Sequence, residues 1–294
     1  MTVTIGEPQV VDAGRGAAWW GEGFRLFASS FWTWIGIMVI YIVISMLVNA
    51  VPYVGTLGHW LLTPVFMGGL MMGCAALDRG EPLRVAHLFE GFQGAHFVPL
   101  MIIGAVNIAL TLAMGAIAAV GIMGSMKLAD MGRLGAGSDP LSALLGSVQS
   151  ITGTGLLMTL VVLVIASVFA MLNWFAPALV ALRGATAVDA MKASFMSCLR
   201  NWVPFLVYGL IAIAVGVAAV LALGGVAFMF GAGAISGGTT GGWLAAAAVF
   251  FGLMLFGAAL FALVVGPIAF ASTYAGYKDT LSHDDAPLDN PAYR

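Results

Sequence analysis

Any chemistry in this chain would have to be built from four histidines, two cysteines and a few amides set among apolar residues. His59 is the histidine inside an apolar stretch, and an imidazole is a side chain that could hold or pass a proton. A single histidine at a membrane interface also serves as a plain hydrogen-bonding group. Asn49, Asn107 and Asn173 are the most polar residues of the apolar stretches. Their ordinary role is hydrogen bonding between helices, and Asn107 and Asn173 are also candidates for contact with a polar substrate. His87 and Glu90 fall on one helix face at i, i+3, whereas His96 lies six residues beyond Glu90 and off that face. Neither HExxH nor paired-cysteine spacing occurs, so no metal site is expected there. Met123, Met126 and Met131 offer thioethers that suit Cu(I). Lys127 beside them opposes a cation, and methionines also fill gaps between helices, so copper stays an open alternative. P-loop, dinucleotide and nucleophile-elbow signatures are all missing. The expectation is therefore a non-enzyme, with no catalytic, cofactor-binding or metal-ligating residue and no cofactor. Cys74 and Cys198 are expected to be free packing residues.

The elements that would position these residues follow from composition. Of 294 residues 61% are hydrophobic and 8% charged, with a mean hydropathy of +1.03. A water-soluble domain carries roughly a quarter charged residues, so lipid must be the solvent for most of this chain. A helix needs about 20 apolar residues to cross roughly 30 Å of hydrocarbon. Six blocks qualify: Phe31 to Val51, Leu57 to Leu77, Val98 to Ile122, and stretches within Ile151 to Leu182, Trp202 to Phe230 and Trp243 to Tyr274. None contains Asp, Glu, Lys or Arg. The last three exceed the minimum, so they tilt, protrude or hide a kink.

Arg15, Arg25, Arg79, Arg84, Arg183, Lys192, Arg200, Lys278 and Arg294 fall on one side of these spans, leaving only Lys127 and Arg133 of the 11 basic residues opposite. Basic residues stay in the cytoplasm, which predicts an inner-membrane protein with both termini cytoplasmic. Trp19, Trp20, Trp32, Trp34, Trp202 and Trp243 are expected at the interfaces. The first thirty residues lack the pattern of a cleavable signal, so insertion by the first span is expected. The net charge of −2 and the lack of a basic cluster give no sign of a nucleic-acid partner. The expected organisation is a cytoplasmic segment over 1–30, a membrane domain over 31–277 and a cytoplasmic tail over 278–294.

The spans read as three repeated hairpins, each introduced by a short amphipathic segment: Trp19 to Ser30, Val85 to His96 and Val188 to Arg200. Trp20, Phe24 and Phe27, like Met191, Phe195 and Cys198, have the spacing of a helix lying in the interface. Such helices anchor the next span or dock a protein partner, and both readings stand. The second helix of each hairpin carries a proline, Pro64, Pro177 and Pro267, which are the expected kink positions. Three kinks could make a hinge set or a shared packing geometry. Gly69-x-x-x-Gly73 and Ala258-x-x-x-Ala262-x-x-x-Gly266 allow helices to approach closely, within one chain or in a homo-oligomer. The turn from Gly231 to Gly242 is expected to be a flexible loop without charge.

Several stretches carry a resemblance. They are Glu22-Gly23-Phe24-Arg25-Leu26-Phe27, Pro64-Val65-Phe66, Ala76-Leu77-Asp78-Arg79-Gly80-Glu81-Pro82 with His87-Leu88-Phe89, Trp174-Phe175-Ala176-Pro177-Ala178-Leu179-Val180, Lys192-Ala193-Ser194-Phe195 and Arg200-Asn201-Trp202. The set resembles uncharacterised bacterial six-span inner-membrane proteins that look related to the membrane domain of glycerophosphodiester phosphodiesterases. The resemblance implies an all-α six-span bundle and no known activity, and the enzymatic role of the wider group is not carried over. The function expected is a scaffold or partner-binding membrane component, with a transporter or flippase for a lipid-like or uncharged substrate as the alternative. Expected partners are membrane lipid and a protein at the amphipathic segments.

Overall fold

The computed structural model describes residues 6–52, 54–135, 156–235 and 240–282. In chain order the helices are α1 (Arg15–Ser29), α2 (Phe31–Asn49), α3 (Val54–Asp78), α4 (His87–Glu90), α5 (Phe97–Gly135), α6 (Leu156–Asn173), α7 (Ala176–Arg183), α8 (Ala187–Arg200), α9 (Trp202–Ile235) and α10 (Thr240–Leu281). No strand occurs among the described residues. Hydrocarbon offers backbone amides no partner, so a spanning segment must satisfy them within its own helix. Six stretches meet that demand with enough length and apolarity: α2, α3, α5, the α6–α7 pair, α9 and α10. The protein is an all-α polytopic bundle.

The fourth span is interrupted. α6 ends at Asn173 and α7 starts at Ala176, with Pro177 in its first turn. Pro177 therefore does not kink a continuous helix; it opens a new one, where its missing N–H costs nothing. The interruption is held by Ser194 of α8. Its hydroxyl accepts from the Phe175 N–H at 3.0 Å and donates to the Met171 carbonyl at 2.6 Å. Pro64 and Pro267, by contrast, lie inside α3 and α10.

Packing is concentrated at one end of the bundle, here called the terminal end because both described ends of the chain meet there. The Gln9 N–H donates to the Thr280 carbonyl at 2.9 Å, and Arg15 pairs with Asp279 at 2.6 Å. α10 continues past 277 to Leu281, so the expected tail begins as helix. The last half of α3 is the centre: Val65, Leu70, Met71 and Cys74 are buried against Trp34, Ile37, Leu88, Leu100 and Leu179. In the most apolar 18-residue stretch of each span, 61% of α3 is buried, against 0% for the fourth span, whose buried part is α7, and 6% for α9. The remaining spans present most of their length outward, as lipid-covered helices do.

Two glycines explain how α1 joins this core. A Cβ on Gly16 would run into the Pro204 carbonyl, and one on Gly23 into the Ile268 carbonyl. α1 therefore lies backbone to backbone on α9 and α10, burying Gly16, Trp19, Gly23, Leu26 and Phe27. Of the residues spaced for a helix lying in the interface, Phe27 is buried and Phe24 is 57% exposed. Trp19 and Trp34 are buried in the core, whereas Trp32 and Trp202 are exposed.

The second amphipathic segment differs from the other two. Its helix is a single turn, α4, followed by turns in which Gly94 adopts φ +68. Only glycine takes that conformation without strain. His87 and Leu88 are buried, and their carbonyls sit over Gly69 of α3, with the Leu83 and His87 side chains over Gly73. The Gly69-x-x-x-Gly73 face is thus used within the chain.

Candidate functional site

Asn107 and Asn173, the amides expected beside a substrate, occupy separate places. Asn107 is buried in α5 one turn beyond Gly104, whose Cα lies against the Leu61 backbone of α3. Asn173 ends α6, its Nδ2 donating to the Phe169 carbonyl at 2.9 Å. The Oδ1 atoms of both are buried without a hydrogen-bond partner among the described residues.

The ion pairs among the described residues include a network at the terminal end. Asp279 accepts from Arg15 at 2.6 and 2.8 Å and from Trp19 Nε1 at 2.7 Å, while Arg15 also donates to Glu22 at 2.7 Å. The Asp279 carboxylate raises the Arg15 pKa further above its ordinary value. Asp78 receives Lys278 at 2.8 Å and the Tyr274 hydroxyl at 3.3 Å. Asn201 binds the leading segment, accepting from the Val11 N–H and donating to the Gln9 carbonyl. This network clasps the first helix to the last.

His87 and Glu90 do approach each other, His87 Nε2 lying 3.6 Å from Glu90 Oε1. His87 Nδ1 accepts from the Arg84 N–H at 2.9 Å, which assigns the neutral ring's proton to Nε2. His96 turns back to the Glu90 carbonyl at 2.8 Å, because the chain reverses at Gly94 instead of continuing as helix. Among the described residues no three of His, Cys, Asp and Glu are grouped to hold a metal. Cys74 and Cys198 are free and buried, and burial pushes the Cys198 thiol up to about 12. Met123 is exposed on α5, which is helical to Gly135; the side chains of Met126 and Met131 lie outside the described residues, as does part of the turn expected from Gly231 to Gly242.

One arrangement was not anticipated. At the far end of the bundle, α2 and α3 form a groove of about 340 Å³ lined by Tyr41, Ile42, Ser45, Met46, Asn49 and His59. Tyr41, Ser45 and Asn49 recur every fourth residue along α2, and His59 and Thr63 do so along α3. That period puts each set on one helix face. Thr63 Oγ1 donates to the His59 carbonyl at 2.7 Å, Asn49 Nδ2 donates to the Ser45 carbonyl at 2.8 Å, and the Tyr41 hydroxyl faces Ser45 and Thr63. Singly, Asn49 and His59 looked incidental; the facing four-residue repeats were the signal.

No protein-family model matches the chain, and no solved structure does. A probable inner membrane protein of Burkholderia thailandensis is 30% identical over 215 residues, which cover 70% of this chain and 76% of the relative. The chain, with its six apolar helices, belongs to the inner-membrane protein family of that relative.

Proposed function

We propose that the protein is a non-enzymatic scaffold of the inner membrane, which binds a protein partner through the surface of its terminal end. One observation carries this reading: that end is a filled, clasped core, and helix α8 on it turns Val188, Met196 and Leu199 outward beside Lys192. A packed support with an exposed apolar stripe suits binding rather than turnover. By the distribution of basic residues the terminal end faces the cytoplasm, with both termini there. Relation to the membrane domain of glycerophosphodiester phosphodiesterases belongs to the same reading and rests on the motif set alone. Gentle detergent extraction and pull-down of the full chain should recover a stoichiometric partner, lost when Met196 and Leu199 are replaced by Glu. A chain that purifies alone, or a partner indifferent to those changes, would overturn the proposal.

A second reading, a transporter or flippase for a lipid-like or uncharged substrate, is favoured by the interrupted fourth span. Broken helices recur in transporters. Vesicles containing the protein that move nothing across a lipid and small-solute panel would remove it.

A further inference from the structure

We propose that the groove between α2 and α3 holds the uncharged, hydroxyl- and ester-bearing head of a single lipid that enters sideways from the leaflet at the far end of the bundle. The occupant is set by where the groove opens. Met46, one of its lining residues, is 68% exposed on the spanning helix α2. Hydrocarbon is what covers such a surface, so only a membrane-soluble molecule reaches it laterally.

The groove's length fits a headgroup drawn below its usual level. Asn49 is the last residue of α2, whereas Tyr41 lies two turns deeper, about 12 Å along the helix axis. Polar side chains at that depth normally spend their hydrogen bonds on neighbouring helices. Here Thr63 and the Asn49 amide nitrogen are spent on local carbonyls. The His59 ring and Asn49 Oδ1 make no hydrogen bond with the described residues, and both line the cavity. Together they offer an acceptor, a ring able to donate or accept, and two adjacent hydroxyls. Hydroxyls and ester carbonyls match that set.

Charge decides between neutral and anionic heads. No Lys or Arg lines the groove, so a phosphate would lie in low dielectric without a cation, which is costly. A diacylglycerol-type head has no such cost, and its acyl chains can run along the exposed apolar side chains of α2, Val43, Met46 and Leu47.

The test uses the full chain in nanodiscs, with photoactivatable diacylglycerol and photoactivatable phosphatidylglycerol as separate probes. Diacylglycerol should label the 41–63 peptide selectively, and unlabelled diacylglycerol should compete on the unaltered protein. His59→Phe with Asn49→Leu should lower that labelling by about tenfold, the scale of two lost hydrogen bonds. Leu210→Ala, on the lipid face of α9, should leave it unchanged. Should the double variant misfold, the competition on the unaltered chain decides alone. Uniform labelling of all lipid-facing helices, absence of competition, or preferential labelling by phosphatidylglycerol would overturn the proposal. None of these outcomes depends on whether a cytoplasmic partner is found.

Discussion

The hydroxyl of Ser194 inserts into one helix bond that the interruption between α6 and α7 breaks, accepting from the Phe175 N–H and donating to the Met171 carbonyl. A buried backbone donor left without a partner costs about 1–3 kcal/mol. Ser194→Ala should therefore lower the melting temperature in detergent by an amount of that order, while Ser194→Cys, which keeps a weak donor, should cost less. An unchanged melting point in the alanine variant would show that the break is satisfied some other way. This residue was not legible in the sequence. Its partners lie 19 and 23 positions away, and nothing in a local pattern marks one serine of an amphipathic segment as the plug of a broken span. Asn107 and Asn173 were legible as polar residues in spans, but periodicity says nothing of whether such amides meet.

At the scale of elements, the spans were readable because hydrocarbon enforces one rule on every residue in them: apolar side chains outside, amides paired inside. The boundaries at Asn49, Asp78 and Trp202 lie within a few residues of those expected from hydropathy. What escaped was contact between elements. α1 packs on α9 and α10 through Gly16 and Gly23, whose Cα atoms abut carbonyls of Pro204 and Ile268. A glycine contact adds nothing to an apolar stripe, so the spacing of Trp20, Phe24 and Phe27 gave no sign of it. Gly23→Val would drive a branched side chain into that carbonyl, and overpacking costs about 1–3 kcal/mol. The expected result is looser docking of α1, seen as faster proteolysis between Ser29 and Phe31, whereas Gly21→Val, in open space, should cut at the ordinary rate. Equal cleavage of the two variants would contradict the close crossing. The second amphipathic segment was misjudged for a related reason: its turns at Gly91 and Gly94 fold it onto α3 as a plug.

The whole molecule is asymmetric along the membrane normal. Its clasped core lies where the first and last helices meet, joined by Arg15 and Asp279, and its far end spreads as lipid-facing hairpins with the groove in one of them. An even number of crossings follows from that clasp, since the two described ends of the chain share one side. The central claim is six crossings with the terminal end in the cytoplasm. It is tested most directly by fusing, at each terminus in turn, a reporter active only in the cytoplasm and one active only outside. The account predicts that the cytoplasmic reporter is active at both termini and the external reporter at neither. Activity of the external reporter at either terminus would contradict it.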